Sequence, residues 1–192
     1  MFCALFLSTA VLVLSAGCSL PLRLQITLKN NVMELKTRIE NREAVPAMKV
    51  RLTGDYRSAN YGMAWEELMD FCRKHNLPEN CESEYVSIYL DDPQTTPAEK
   101  CRLDVCIATP ILEGKSSEGD VRIEKLDGGK FIVFLYRGPY SGIGEAYGAI
   151  YGHLLKESAV EPLQLPMFEK YLNDPETTPP EELLTEIWIP IK

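Results

Sequence analysis

Histidine is nearly missing: His75 and His153 are the only two in 192 residues. The six cysteines (Cys3, Cys18, Cys72, Cys81, Cys101 and Cys106) form no Cys-x-x-Cys pair. Zinc sites of ordinary ligand spacing and Cys–His nucleophilic catalysis are therefore set aside, and the expected metal content is none. The thiols read as free cysteines of a reducing compartment. The glycine-rich phosphate loop is also missing. Thr-Thr-Pro occurs at 95–97 and again at 177–179, but without the glycines that cradle phosphate. It reads as turn chemistry, and no cofactor is expected. Positive charge is short as well: 20 Lys and Arg face 28 Asp and Glu, a net charge of −8. Only Arg23 and Lys29 are charged within residues 1–32, so residues 33–192 carry −10. Such a body repels phosphate backbones, and nucleic-acid binding is not expected. It favours cationic small molecules or basic protein patches.

The first 22 residues, "MFCALFLSTAVLVLSAGCSLPL", have no charge and are long enough to cross a bilayer. Ser15-Ala16-Gly17-Cys18 is similar to a lipoprotein cleavage box. Ser15 stands where a large aliphatic belongs, and no Lys or Arg precedes the run. The nearest cations, Arg23, Lys29, Lys36 and Arg38, follow it, which favours a cytoplasmic C-terminal side. Three readings stay open: an anchor, a cleaved leader, or an upstream mis-start before Met33. Membrane contact is expected only through residues 1–22, and the body is expected in the cytoplasm, with a membrane-anchored or lipoprotein form as the alternative.

What is present is a repeat. "YLDDPQTTPAEKCRLDVCI" at 89–107 returns as "YLNDPETTPPEELLTEIWI" at 171–189, with nine identities in nineteen positions. The duplication extends upstream. "ELKTRIE" and "AMKVRL" have the period of strands; "TGDY" precedes a helix capped by Ser58 and running to about Asn76, with Tyr61, Trp65, Leu68 and Cys72 on one face. After the polar connector 113–120, "VRIEKL" and "KFIVFLY" read as strands joined in a hairpin at Asp127-Gly128-Gly129. "RGPY" echoes "TGDY", and a second helix capped by Ser141 buries Ile143, Tyr147, Ile150, Tyr151 and Leu154. The expected architecture is α+β: tandem βαββ units, 33–112 and 119–192, packed with pseudo-two-fold symmetry as an antiparallel sheet with two helices around a central cleft. Clefts between packed units are preferred ligand sites.

The "GPY" before the second helix and the two Tyr-Leu-x-Asp-Pro-x-Thr-Thr-Pro segments resemble the GyrI-like small-molecule-binding domains. These include bacterial DNA gyrase inhibitory proteins and the effector-binding domains of AraC- and MerR-type transcription regulators. The resemblance covers about residues 33–192. It implies a cleft for bulky, often cationic aromatic ligands, as in multidrug binding, with a last-strand glutamate, here Glu186, among aromatics. Residues 1–32 show no helix-turn-helix pattern, so the chain is similar to the stand-alone members. On the residues alone, Glu186 alternates with Trp188 on one strand face. A carboxylate beside an indole loses solvation, and aromatic rings add cation–π attraction. Asp104 and Cys106 are the repeat counterparts of Glu186 and Trp188. Tyr56, Trp65, Tyr140, Tyr147 and Phe168 complete the expected lining. The leading expectation is a receptor for a hydrophobic, cationic aromatic small molecule. The resemblance leaves two alternatives open: a DNA gyrase-directed interaction module, and a hydrolase of strained cyclopropane-bearing toxins with Glu186 as its catalytic carboxylate.

Overall fold

The computed structural model describes residues 22–28, 31–78 and 83–192. The anchor, leader and mis-start readings fall mostly on residues 1–21, outside the described residues, as do Cys3, Cys18 and Cys81. Among the described residues no helix is long and apolar enough to cross a membrane.

Among the described residues nine strands form one antiparallel sheet: β1 (Leu22–Leu28), β2 (Asn31–Arg42), β3 (Val45–Thr53), β4 (Glu84–Tyr89), β5 (Arg102–Ala108), β6 (Arg122–Leu126), β7 (Gly129–Arg137), β8 (Met167–Tyr171) and β9 (Leu184–Pro190). Their order is β1-β2-β7-β9-β8-β4-β5-β3-β6. Leaving β1 aside, the order is a palindrome of equivalents about the β8–β4 pair. The two-fold relation expected from the repeat is present. β1 pairs with β2 over Leu22↔Thr37 to Leu28↔Asn31, so regular structure begins upstream of Met33, where the strand periodicity had placed its start.

The expected Asp-Gly-Gly hairpin does not form. β6 pairs with β3, while β7 pairs with β2 and β9. Each unit has handed its first strand to the other. The links between β2 and β3 and between β6 and β7 are two residues long and cross at Gly128. A Cβ there would sit 2.6 Å from Ala44 N and 2.7 Å from Arg42 O, so only glycine lets the backbones pass. The exchange also curves the sheet. β6 and β7 lie six strand intervals apart, about 29 Å in a flat sheet. The chain from Leu126 to Gly129 spans at most about 11 Å. The sheet therefore curls at this end toward the face on which Leu126, Phe131, Phe168 and Trp188 share one buried cluster.

Both helices lie on the other face. α1 (Tyr61–Lys74) is capped by Asn60, whose side chain accepts from Met63 N, and not by Ser58. Ser58 instead closes a turn onto Asp55 O. Asn76, at φ 49°, ends the helix ahead of Leu77-Pro78. Ala64, Leu68 and Phe71 bury against Met48, Val50, Leu103 and Val105. Each large apolar side chain so buried contributes about 1.5–3 kcal/mol. α2 (Ile143–Ala149) follows a 3₁₀ turn at Tyr140–Gly142 and has no side-chain cap, contrary to the expected Ser141. It continues through a π turn, Ile150–Leu154, into α3 (Leu155–Glu157). The motif before α2 has a local cause. The Tyr136 hydroxyl donates to Pro139 O at 3.0 Å. A Cβ at Gly138 or Gly142 would come within 2.6 or 2.5 Å of the Tyr136 hydroxyl oxygen.

Candidate functional site

Between the strands that pack against α1 and those that pack against α2 lie β4 and β8, whose alternation sends Tyr85, Ser87 and Tyr89 and Met167, Glu169 and Tyr171 to the helix side. Ser87 and Glu169 are repeat equivalents and also direct cross-strand partners, so they meet at the pseudo-two-fold axis. Glu169 is 3% exposed. Tyr147, from α2, donates to its Oε1 at 2.6 Å, and Tyr171 lies 3.0 Å from its Oε2. Tyr171 Oη is also 3.0 Å from Ser87 Oγ. Tyr89 contributes a third phenol.

Burial pushes the Glu169 carboxyl above the ordinary carboxylate range, and the phenols of Tyr147, Tyr171 and Tyr89 offset part of that rise. Burial and then the neighbouring Glu169 charge drive Tyr147 well above its usual value. Among the described residues no lysine, arginine or histidine forms an ion pair with Glu169. Its company is aromatic. Trp65 of α1 stands 6.0 Å from Tyr85 and 6.2 Å from Tyr171, ring centre to ring centre. Tyr140 meets Tyr171 edge-on at 5.5 Å, and Tyr147 stacks on Tyr151 at 6.4 Å.

Trp65, Tyr140 and Tyr147 are thus brought together where a cleft was expected from the repeat. Tyr56 stands edge-on to Tyr89 at 5.0 Å, while Glu186, Trp188, Phe168 and Asp104 are on the reverse face of the sheet. Glu186 and Trp188 alternate as foreseen, but on the reverse face of β9, while Ile187 and Ile189 pack under α2. Glu186 pairs with Arg38 at 2.9 Å and accepts from Trp188 Nε1 at 3.0 Å. Trp188 is stacked on Phe168, with Phe131 edge-on to both and the Arg42 guanidinium over both rings. Asp104, also on the reverse face, is gripped by Arg51 and Arg122. Tyr56 is pinned, its Oη 2.9 Å from the carbonyls of Asp91 and Arg102. The buried acid on the helix side of β8 is Glu169, which is not among the residues expected from the sequence. A signal for it existed: a polar residue recurs at the middle of an apolar strand in both copies, Ser87 in "EYVSIYL" and Glu169 in "MFEKYL".

No group of three or more metal-ligating side chains occurs among the described residues. The Thr-Thr-Pro loops are turns: the Asp92 and Asp174 carboxylates accept from Gln94 N and Glu176 N at 2.8 Å.

A model of the GyrI-like small molecule binding domain matches residues 35–192. A DNA gyrase inhibitor of Escherichia coli (strain K12) is 33% identical over 112 residues, 57% of this chain and 69% of that one. The EcmrR C-terminal domain superposes with a TM-score of 0.62 at 16% identity, covering 82% of this chain and 98% of that one. SAV2435, solved bound to tetraphenylphosphonium, gives a TM-score of 0.53 at 16% identity, covering 81% and 93%.

Proposed function

The chain belongs to the GyrI-like small-molecule-binding domain family, and from that premise we propose that it captures a hydrophobic organic cation in the trough between α1 and α2, with Glu169 as the counter-charge. One observation carries the reading: a carboxylate 3% exposed, ringed by phenols and with no basic partner among the described residues. A buried, uncompensated carboxylate costs free energy that a bound cation returns. Tyr147, Tyr171, Trp65 and Tyr140 supply ring faces, each adding about 0.5–2 kcal/mol of cation–π attraction to a desolvated cation. The Tyr147 and Tyr171 hydroxyls stand over Glu169, so a ligand that reaches the carboxylate displaces at least one of them. Tetraphenylphosphonium, the ligand of SAV2435, is the natural first probe.

Calorimetric titration of the full chain with tetraphenylphosphonium tests this. Loss of a charged partner is worth about 1.5–3 kcal/mol, so Glu169→Gln should weaken binding at least about tenfold. Unchanged affinity in that variant would remove Glu169 from the site.

The relationship to a DNA gyrase inhibitor supports a second reading, in which the chain acts on DNA gyrase. The two readings separate cleanly. Inhibition of supercoiling that is insensitive to both Glu169→Gln and added tetraphenylphosphonium would assign the gyrase contact to a surface other than the trough.

A further inference from the structure

Acids on the two faces of the sheet are treated differently. On the reverse face Glu186 is paired with Arg38, Asp104 with Arg51 and Arg122, Glu84 with Arg42 and Lys170, and Glu124 with Lys49 and Arg122. On the helix side Glu169 has no cation, and the uncompensated charge does not end there. β8 runs from Glu169 through Tyr171 and exposed Leu172 into the loop that holds Asp174, Glu176, Glu181 and Glu182. Among the described residues only Arg137 pairs into this loop, at 3.5 Å from Glu182. Asp174 accepts from the backbone N–H of Glu176 and has no basic partner among the described residues. Between the two acids stands Tyr140, 39% exposed and edge-on to Tyr171. Glu169 and Asp174 both raise its phenol, after burial, which places it within reach of both charges.

The other end of the trough is less acidic: its loop holds Asp92, which like Asp174 accepts from a backbone N–H at 2.8 Å, and Glu99, but also Lys100. There Tyr56, the counterpart of Tyr140, is tied to the Asp91 and Arg102 carbonyls, and Arg102 neutralises Asp91 at 2.8 Å. The acidic charge is therefore heavier toward the β8 end: one buried acid stands at the centre, and the loop with Asp174, Glu176, Glu181 and Glu182 holds no lysine or arginine of its own.

We infer that the ligand of this trough is an elongated dication, with one charge over Glu169, the second at the Asp174 loop, and an apolar spacer lying along Tyr171 and Tyr140. This rests on the reading of Glu169 given above and narrows its ligand class. Five residues of extended chain separate Glu169 from Asp174, which sets an upper limit of about 16 Å between the charges. The inner charge meets an aromatic surround suited to quaternary ammonium. The outer one meets exposed carboxylates, so its contribution is modest and screened by salt.

Decamethonium and decyltrimethylammonium share the alkyl chain and one quaternary ammonium, and differ in the second charge. Both are titrated calorimetrically into the full chain, into Glu169→Gln, and into Asp174→Asn combined with Glu176→Gln. The Asp174→Asn change keeps a side-chain oxygen to accept from the residue-176 N–H, so the turn is preserved. At low ionic strength decamethonium should bind about threefold to fivefold more tightly than the monocation, as expected for an exposed ion pair. That advantage should vanish in the loop variant and in concentrated salt, while Glu169→Gln weakens both probes. Equal affinity for the two probes, with both weakened by Glu169→Gln, would overturn the dication and leave the Glu169 site standing. An advantage that survives the loop variant would overturn the placement of the second charge. Two probes that ignore Glu169→Gln, or fail to bind the native chain, would overturn both readings.

Discussion

Glu169 and Glu186 sit on adjacent strands and face opposite sides of the sheet, and their surroundings assign them different work. Glu186 lies between Arg38 and the Trp188 indole, a closed set of partners. Glu186→Gln should therefore act on stability. Breaking a buried charged hydrogen bond costs about 1.5–3 kcal/mol, read as a lower denaturant midpoint, with ligand affinity unchanged. Glu169 should act on binding and on pH response. Its folded-state pKa lies above the unfolded value of about 4.3. Between those two values the folded chain holds a proton that the unfolded chain has lost. Stability should then fall as pH rises through that window, and the slope should disappear in Glu169→Gln. Denaturant unfolding of both proteins across acidic to neutral pH checks this; identical pH profiles would contradict the burial argument. The glutamate–aromatic alternation of β9 was legible in the sequence, but not that Glu186 and Trp188 face away from the helices. That depends on which side α1 and α2 cover, and strand periodicity alone is the same for either choice.

At the scale of elements, glycines separate structure that must be there from structure that is spare. Gly148 lies on the exposed side of α2, and a Cβ added to it would meet nothing within 4 Å. Gly148→Ala should stabilise the chain by about 0.5–1 kcal/mol through helix propensity. Gly128→Ala should destabilise it by about 1–3 kcal/mol or more, because the new methyl meets the backbone of residues 42–44. Thermal unfolding of the two variants, with Tm shifts of opposite sign, checks the pair. The strands and helices themselves were legible from period and breakers. The Asp127-Gly128-Gly129 hairpin was misread because a two-residue glycine link is also what a tight crossover needs. The choice between them was made by β3 and β2, each far away in sequence. A clue lay in Arg-Ile-Glu at 38–40, which recurs at 122–124. Arg38 reaches Glu186 and its own Glu40, as Arg122 reaches Asp104 and Glu124. Each exchanged strand is fastened to the other unit's last strand by the same arginine.

For the whole molecule, the exchange means that neither repeat holds a complete sheet of its own. β2 of the first unit completes the second, and β6 of the second completes the first. The two units should unfold together, with equal calorimetric and van't Hoff enthalpies; two separable transitions would contradict the exchanged pairing. The two-fold arrangement was legible from the repeat because identities at a constant spacing survive in both copies. The same symmetry places Ser87 and Glu169 side by side at its axis, so that a single acid stands where the two units meet. The most direct test is one titration series with tetraphenylphosphonium on the native chain, Glu169→Gln and Glu186→Gln. The expected result is affinity lost at least about tenfold in Glu169→Gln and retained in Glu186→Gln. Affinity lost in Glu186→Gln and kept in Glu169→Gln would place the site on the reverse face of the sheet.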